Sequence, residues 1–527
     1  MSANLSENYL YQVLLLLIVA ILCWLWMRKG NKLVTASLPP GPRGLPIAGY
    51  LPFLGKNLHH QFTKLAEEYG PIYKLWLGSK LCIVVSSPSL AKQVCRDLDV
   101  VFSNRDPTIA ALTLTHNAMD IAWSSSGPYW RNIRKLFVRE MLSNSNIDAC
   151  YHLRRQQVMK TIKHLHDNCG FPVEIGKIAF MTEFNAFISM IWGGTTSSST
   201  FKGGDHDDDG HGAEFHVISS KFLKLLELPN ISDFFPILAR FDLQGVQRQA
   251  NEILAELDAF LNSLIDTREK EKAKNGDGDI GKKDFLQILL DLKYCPDSDI
   301  PINKTQMKAL IMDILLGGTD TSATAVEWAM AELLHNPEMM RRVQEEITQV
   351  VGDKSLVEET HLPKFRYLDA IVKETLRLHP PLPLNVPRRP SETCIVGGYS
   401  IPKDCKVFLN ISAIQRDPNV WENPLEFRPE RFLGGEEGSK WDYNGNNLHF
   451  FPFGSGRRVC AGIPLAEKMV SYILASLLHS FDWHLPQGGE AVDFTEEFGI
   501  VVKKSTPLLA VPMQRLSDDL ANLLCMI

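Results

Sequence analysis

The segment FPFGSGRRVCAG, Phe451 to Gly462, is the strongest constraint on what this chain can fold into. Phe453, Gly454 and Gly456 precede Cys460, Arg458 stands two residues before it, and Gly462 two residues after it. Glycines let a backbone approach a flat object closely and turn its amides toward a sulfur. Amide donors and nearby cationic charge hold a cysteine deprotonated, the form that binds metal. The amphipathic run IPLAEKMVSYILASLLHSF follows at once, so the positive end of a helix faces the sulfur. A fold for this chain must therefore offer one thiolate, on a glycine loop at a helix start, to something broad and planar.

With 527 residues, the chain exceeds the size at which one hydrophobic core normally stops growing, which leaves room to bury a bulky cofactor. Apolar residues at 45% and charged residues at 22% are ordinary for a globular enzyme. A net charge of −6 and the absence of long Lys/Arg runs exclude nucleic acid as the main partner. The ten cysteines include no C-x-x-C pair, which suits neither a zinc site nor a disulfide framework. They read as reduced thiols in a cytosol-facing protein.

From Tyr9 to Met27 the chain reads YLYQVLLLLIVAILCWLWM, without a charge and with aromatics at both ends. Such a helix nearly matches a hydrocarbon core of about 30 Å. Arg28, Lys29 and Lys32 follow it and no cation precedes it, which predicts a lumenal N-terminus and a retained anchor rather than a cleaved signal peptide. The chain divides into an anchor over residues 1–33, a proline-rich linker over 34–49 and a catalytic body over 50–527. Prolines 39, 40, 42 and 46 make that linker stiff and extended.

Ile72–Gly78 and Leu81–Ser87 read as two strands joined by a short turn, with a helix starting at Pro88. Lys221–Leu226, Gln247–Glu269 and Lys304–Leu334 are helical by period. The fold class is mainly α with a smaller β region. Two polar stretches, 201–212 and 270–283, have little to bury and read as mobile surface loops.

Within the long helical run lies GGTDTS, Gly317 to Ser322. Two glycines inside a helix cost roughly 1 kcal/mol each relative to alanine. A local opening there would put the Thr321 hydroxyl and the Asp320 carboxyl where they deliver protons; the plainer reading is a close helix crossing beside an ordinary acid. KETLRLHP, Lys373 to Pro380, sets Glu374 and Arg377 at i,i+3 on one face. WRNIRKLFVRE, Trp130 to Glu140, sets Trp130 and Arg134 on one face and Arg131, Lys135 and Arg139 along another.

The pattern F-x-x-G-x-R-x-C-x-G resembles the haem-binding signature of the cytochrome P450 family. GGTDTS, KETLRLHP, FRPERF (Phe427 to Phe432) and WRNIRKLFVRE resemble further family segments in the expected order. The wording, with the anchor and LPPGPRGLP, is similar to the plant microsomal monooxygenases, and within these most similar to hydroxylases of sesquiterpenes and other specialised metabolites. The resemblance implies the cytochrome P450 fold with an N-terminal transmembrane helix, single-pass in the endoplasmic reticulum membrane with the catalytic body cytoplasmic. It implies haem b, with Cys460 as the iron ligand and Trp130, Arg134, Arg388, Arg458, Phe453, Gly456 and Gly462 around the cofactor. Arg389 competes with Arg388 for the propionate role.

By the same resemblance Thr321 and Asp320 are the catalytic pair, and Arg431 joins Glu374 and Arg377 in a structural triad. The substrate pocket draws on Leu112, Thr113, Leu316, Gly317, Leu382, Asn385, Val386 and Ile500. Electrons come from NADPH through a separate reductase, since the chain has no G-x-G-x-x-G fingerprint after a strand. The basic stripe is a docking surface for that reductase or simply a solvated helix face. The implied reaction inserts one oxygen atom of O2 into a small hydrophobic metabolite, a terpenoid and most of all a sesquiterpene. The alternative is a flavonoid or phenolic whose hydroxyls Asn385, Thr113 and His116 bind. A hydroperoxide isomerase without reductase is disfavoured by Thr321, and a non-enzymatic haem protein by the acid–alcohol pair.

Overall fold

A computed structural model describes Ile18 and residues 36–192, 210–275, 284–294, 302–434, 440–486 and 491–515. Among them are eleven helices of ten or more residues: α1 (Leu58–Tyr69), α2 (Pro128–Glu140), α3 (Tyr151–Asp167), α4 (Ile175–Trp192), α5 (Gly210–Glu227), α6 (Val246–Asn275), α7 (Phe285–Tyr294), α8 (Lys304–His335), α9 (Pro337–Val351), α10 (Arg366–Leu378) and α11 (Ile463–Ser480). The fold is mainly helical with a smaller β region. The anchor expected over 1–33 falls, Ile18 apart, outside the described residues, and no described helix is long and apolar enough to cross a membrane.

The axis of the molecule is α8, which packs against α4, α10 and α11. Its start is fixed by a capping box: the Asn303 side chain accepts from the Gln306 amide while the Gln306 side chain accepts from the Asn303 amide. The stretch around it is so apolar that most of its side chains are buried, which lets one helix serve several neighbours. Part of each polar stretch expected to be a loop is helical. Gly210–Gly212 already belong to α5, and α6 runs on through Lys270 to Asn275; the remainder of both stretches lies outside the described residues.

The strands are β1 (Ile72–Leu77), β2 (Lys80–Val85), β3 (Asn104–Arg105), β4 (Val173–Glu174), β5 (Arg388–Arg389), β6 (Cys394–Val396), β7 (Tyr399–Ile401), β8 (Lys406–Leu409), β9 (Phe481–His484), β10 (Glu496–Glu497), β11 (Lys503–Lys504) and β12 (Leu509–Gln514). The main sheet runs β1-β2-β8-β5-β3, and a second β4-β12-β9. β1 and β2 pair antiparallel from Ile72↔Val85 to Leu77↔Lys80 around Gly78, whose φ of +58° a two-residue hairpin turn requires. The proline-rich linker lies along β1: the Lys74 amide donates to the Pro40 carbonyl (2.8 Å) and its ammonium to the Pro39 carbonyl (2.5 Å). A Cβ on Gly41 would stand 1.9 Å from the Lys74 carbonyl oxygen, so only glycine admits this contact.

Candidate active site

The Cys460 loop is held by its own backbone. The Cys460 amide donates to the Phe453 carbonyl (2.9 Å), and that of Gly454 to Phe451 (2.8 Å). Gly456, at φ +72°, does not face the cavity: a Cβ there would lie 2.2 Å from the Cys95 carbonyl oxygen, so the residue allows the loop to settle on Gln93–Asp97. Phe453 and Gly462 do line the cavity. The Gly462 amide donates to the Cys460 sulfur at 3.3 Å, and α11 starts one residue later. Burial pushes the Cys460 thiol up, and the Gly462 amide, the Arg134 charge and the Ile463 amide pull it back. Cys460 is exposed only in the sense that it opens into the cavity.

That cavity, about 380 Å³, lies between the cysteine loop and α8. Helix α8 runs through Gly317 and Gly318 without the opening that two glycines predict. The glycines divide the work. A Cβ on Gly318 would meet the Phe187 ring of α4 at 2.5 Å, whereas Gly317 has nothing within 4 Å and leaves space in the cavity. Thr321 lines the cavity and its hydroxyl donates to the Gly317 carbonyl at 2.8 Å. Asp320, one residue or about 100° away around the helix, is not on the wall. It is buried and ion-paired with Lys503 of β11, which is partly exposed.

Four arginines gather at one end of the cavity. Arg105, Arg134 and Arg458 line it, and Arg388 is buried behind them. Their hydrogen bonds go largely to carbonyls: Arg458 to Ser103 (2.7 Å), Ile121 (3.1 Å) and Ser124 (2.5 Å), Arg134 to Val459 (2.5 Å), Arg388 to Ser455 (2.6 Å) and Arg105 to Ala122 (3.0 Å) and Val386 (2.5 Å). Carbonyls satisfy donors without cancelling charge. Burial, then the charges of Arg388 and Arg134, push the Arg458 guanidinium down to about 9, and burial beside Arg458 and Arg388 pushes Arg105 down as well. Trp130 is not on the wall; its indole Nε1 donates to the Ile121 carbonyl (3.1 Å) and its ring carries the Arg458 guanidinium. Arg389, pointing oppositely from β5, stands 3.7 Å from Asp404, so of the two it is Arg388 that faces inward.

Two carboxyls also line the cavity: Asp313, at the start of the stretch 313–317 that family position assigns to the pocket, and Asp120, which carries no signal in the sequence. Asp313 accepts from the Ile121 amide (2.8 Å), which pins the segment before α2 to α8. Burial pushes Asp120 up to about 7, and burial with the neighbouring Asp120 charge pushes Asp313 well above the carboxylate range.

Away from the cavity, Arg377 grips Glu374 with two bonds (2.6 and 2.8 Å), and Arg431 donates to the same carboxylate at 3.2 Å. Glu374 and Arg377 are wholly buried. Arg377 also donates to the carbonyls of Gln415 and Pro424, which tie α10 to the segment running into the cysteine loop.

Leu316, Gly317, Leu382, Asn385, Val386 and Ile500 line the cavity, but Leu112 and Thr113 do not. The short helix Ile109–Leu114 buries Ala110, Ala111 and Leu114, so the inward face passes to Leu114, Thr115 and His116. The Thr113 hydroxyl donates to the Ile109 carbonyl (2.9 Å). Asn385 has φ +53°, a left-handed conformation asparagine tolerates, and its side-chain oxygen accepts from the Val386 amide (2.7 Å). Its polarity is therefore explained in part by the turn. His116 stands 3.2 Å from Asp258, another lining residue, and the buried Lys308 contacts the same oxygen of Asp258 at 2.6 Å. Burial pushes the His116 imidazole down, partly offset by Asp258.

The cytochrome P450 family profile matches residues 39–511, and the chain belongs to that family. It is 38% identical to a flavonoid 3'-monooxygenase of Crocosmia x crocosmiiflora, covering 97% of this chain and 98% of the relative. It is likewise 38% identical to the 3,9-dihydroxypterocarpan 6A-monooxygenase of Glycine max, covering 96% and 99%. A solved zebra fish cytochrome P450 with abiraterone superposes with a TM-score of 0.70 over 87% of this chain and 99% of that one, at 24% identity. The protein is a cytochrome P450 monooxygenase, using haem b and electrons from a reductase partner. The residues present fit that cofactor: a cysteine sulfur opens into the cavity, and the buried arginine cluster carries an excess of positive charge suited to the two propionates.

Proposed function

We propose that this monooxygenase hydroxylates a polycyclic phenolic substrate of the flavonoid or pterocarpan kind. The observation that carries this reading is the polar corner of His116 and Asp258 in a mainly apolar cavity. Buried polar groups bind a substrate hydroxyl and reject an analogue that leaves them unpaired. The names of the two plant relatives support it. A compact terpenoid is the second reading, supported by the walls contributed by Phe187, Phe222, Leu223, Leu226 and Ile500.

In this reading Cys460 holds the haem iron, and Arg134, Arg388 and Arg458, with Trp130 beneath Arg458, hold the propionates. Bound there, haem b supplies reductive activation of O2 and transfer of one oxygen atom to a C–H bond. The Thr321 hydroxyl, already hydrogen-bonded, holds a proton beside the reacting atoms. The Asp320–Lys503 pair, one residue around α8 from Thr321, reaches toward the exterior and resupplies that proton. Residues 1–33 anchor the protein in the endoplasmic reticulum membrane, 34–49 link, and 50–527 form the cytoplasmic catalytic body. The exposed stripe of Arg131, Lys135 and Arg139 receives the acidic reductase.

The test feeds flavonoid, pterocarpan and sesquiterpene panels to membranes containing the protein and a reductase, and compares wild type with His116→Leu. Turnover of hydroxylated aromatics that falls in the variant supports the phenolic reading; terpene oxidation indifferent to His116 overturns it.

A further inference from the structure

Apart from the cavity, a second set of donor atoms converges where α1 meets β10. His59 Nε2 lies 2.8 Å and His60 Nε2 2.7 Å from one oxygen of Glu496, Oε2. The three donor atoms all lie within 4.8 Å of one another. The two rings are 4.0 Å apart between centroids. Arg416 faces the other carboxylate oxygen, Oε1, at 3.9 Å, leaving Oε2 to the imidazoles. His59 and Glu496 are sheltered, while the His60 side chain is half exposed and gives access from solvent.

We propose that His59, His60 and Glu496 form a binding site for a divalent transition metal of the zinc class. Two imidazoles and one carboxylate are the donor set such ions prefer, whereas calcium and magnesium take oxygen. Zinc bonds of about 2.1 Å set neighbouring donors roughly 3.4 Å apart, so the hydrogen-bonded contacts to Glu496 open by about 0.6–0.7 Å. The exposed His60 ring supplies that movement, and water completes the tetrahedron from the open side.

The site has a consequence for the cavity. Phe498, two residues beyond Glu496, stacks on His59 (5.4 Å between centroids), and Ile500 and Val501 follow on the cavity wall. β10 pairs with β11 through Glu497↔Lys503, and Lys503 carries the ion pair to Asp320. A metal at His59, His60 and Glu496 stiffens this hairpin and, through it, one wall of the substrate pocket.

The test titrates full-length, haem-loaded, detergent-solubilised protein, first stripped with a chelator, with Zn2+ against a chromophoric zinc indicator. The wild type is expected to bind one zinc ion per chain at micromolar concentration or below. His60→Ala, which removes an exposed side chain, and the isosteric Glu496→Gln are expected to weaken that site by about ten-fold or more with unchanged haem spectra. A wild type that takes up no zinc in this range overturns the proposal. So does uptake by His60→Ala equal to wild type, which marks the ion as adventitious.

Discussion

The guanidinium of Arg458 lies over the indole of Trp130, 4.1 Å from the ring centroid, and both groups spend a donor on the carbonyl of Ile121. One backbone oxygen thus fixes the arginine of the cysteine loop and its aromatic support together. Replacing Trp130 by Leu removes the stacking surface and one of these bonds. We expect haem content to drop several-fold while the secondary structure, followed by circular dichroism, stays; undiminished haem would show that Arg458 needs no such platform.

Cys460→Ser should abolish the strongly red-shifted Soret band of the ferrous carbon monoxide complex. The reason is that a serine oxygen cannot supply the thiolate that the Gly462 amide and Arg134 favour. Persistence of that band would mean that another residue ligates the iron.

Thr321→Ala should retain haem but divert reducing equivalents to hydrogen peroxide, and Asp320→Asn should lower turnover by about 10²-fold. Product, NADPH and peroxide are measured together. Because Asp320 does not reach the cavity, its effect is expected to depend on Lys503, and Lys503→Met should reproduce it. Full coupling in the threonine variant would remove the proton role.

The buried triad is a stability element. Arg377→Met leaves Glu374 without its two-bond partner at zero exposure, and losing one half of such a pair costs about 3–5 kcal/mol. Thermal unfolding followed by haem release measures it; a change under about 1 kcal/mol would contradict the assignment.

Asp120 and Asp313 give stability a pH dependence. Burial raises both folded pKa values above those of the unfolded chain, so each contribution is complete below the usual carboxylate range and declines as pH rises, for Asp120 toward about 7. The slope reaches about 1.4 kcal/mol per pH unit for one proton. Asp313→Asn can still accept from the Ile121 amide and should flatten that decline. Urea unfolding of both proteins at mildly acidic and mildly alkaline pH decides the matter, and parallel curves would exclude it.

Reversing Lys135 and Arg139 to glutamate should raise the reductase concentration needed for half-maximal turnover at low salt, with little effect at high salt. An unchanged concentration dependence would leave the stripe a solvated face.

The parts of the site that were legible in the sequence have a local signature. A cysteine amid glycines, a Glu-x-x-Arg on one helical face and a threonine beside an acid can each be read within ten residues. What escaped depends on three-dimensional convergence. Arg105 sits in SNRDP without any periodic signal, yet the pairing of β3 with β5 brings it to the cavity. Asp258 belongs to a stretch that the sequence marks only as helical by period, and the packing of that helix on Ile109–Leu114 goes with its place on the cavity wall. Leu112 and Thr113 lie off the wall because the helix Ile109–Leu114 turns Ala110, Ala111 and Leu114 inward, and Leu114, Thr115 and His116 line the cavity instead. Adjacent residues Asp320 and Thr321 point in different directions for the simple reason that an α-helix turns by about 100° per residue.

The proline-rich segment stitched along β1 has an effect beyond its own length. Because Pro39 and Pro40 are fastened to Lys74 and Gly41 is wedged against the same residue, this stretch behaves as a keel rather than a tether. The course of the segment Pro39–Gly41 is dictated by a sheet whose other edge strand, β3, supplies Arg105. A larger residue at Gly41 would push Lys74 away from this segment and unfasten it from β1, whereas residues inserted ahead of Pro39 would leave that fastening intact.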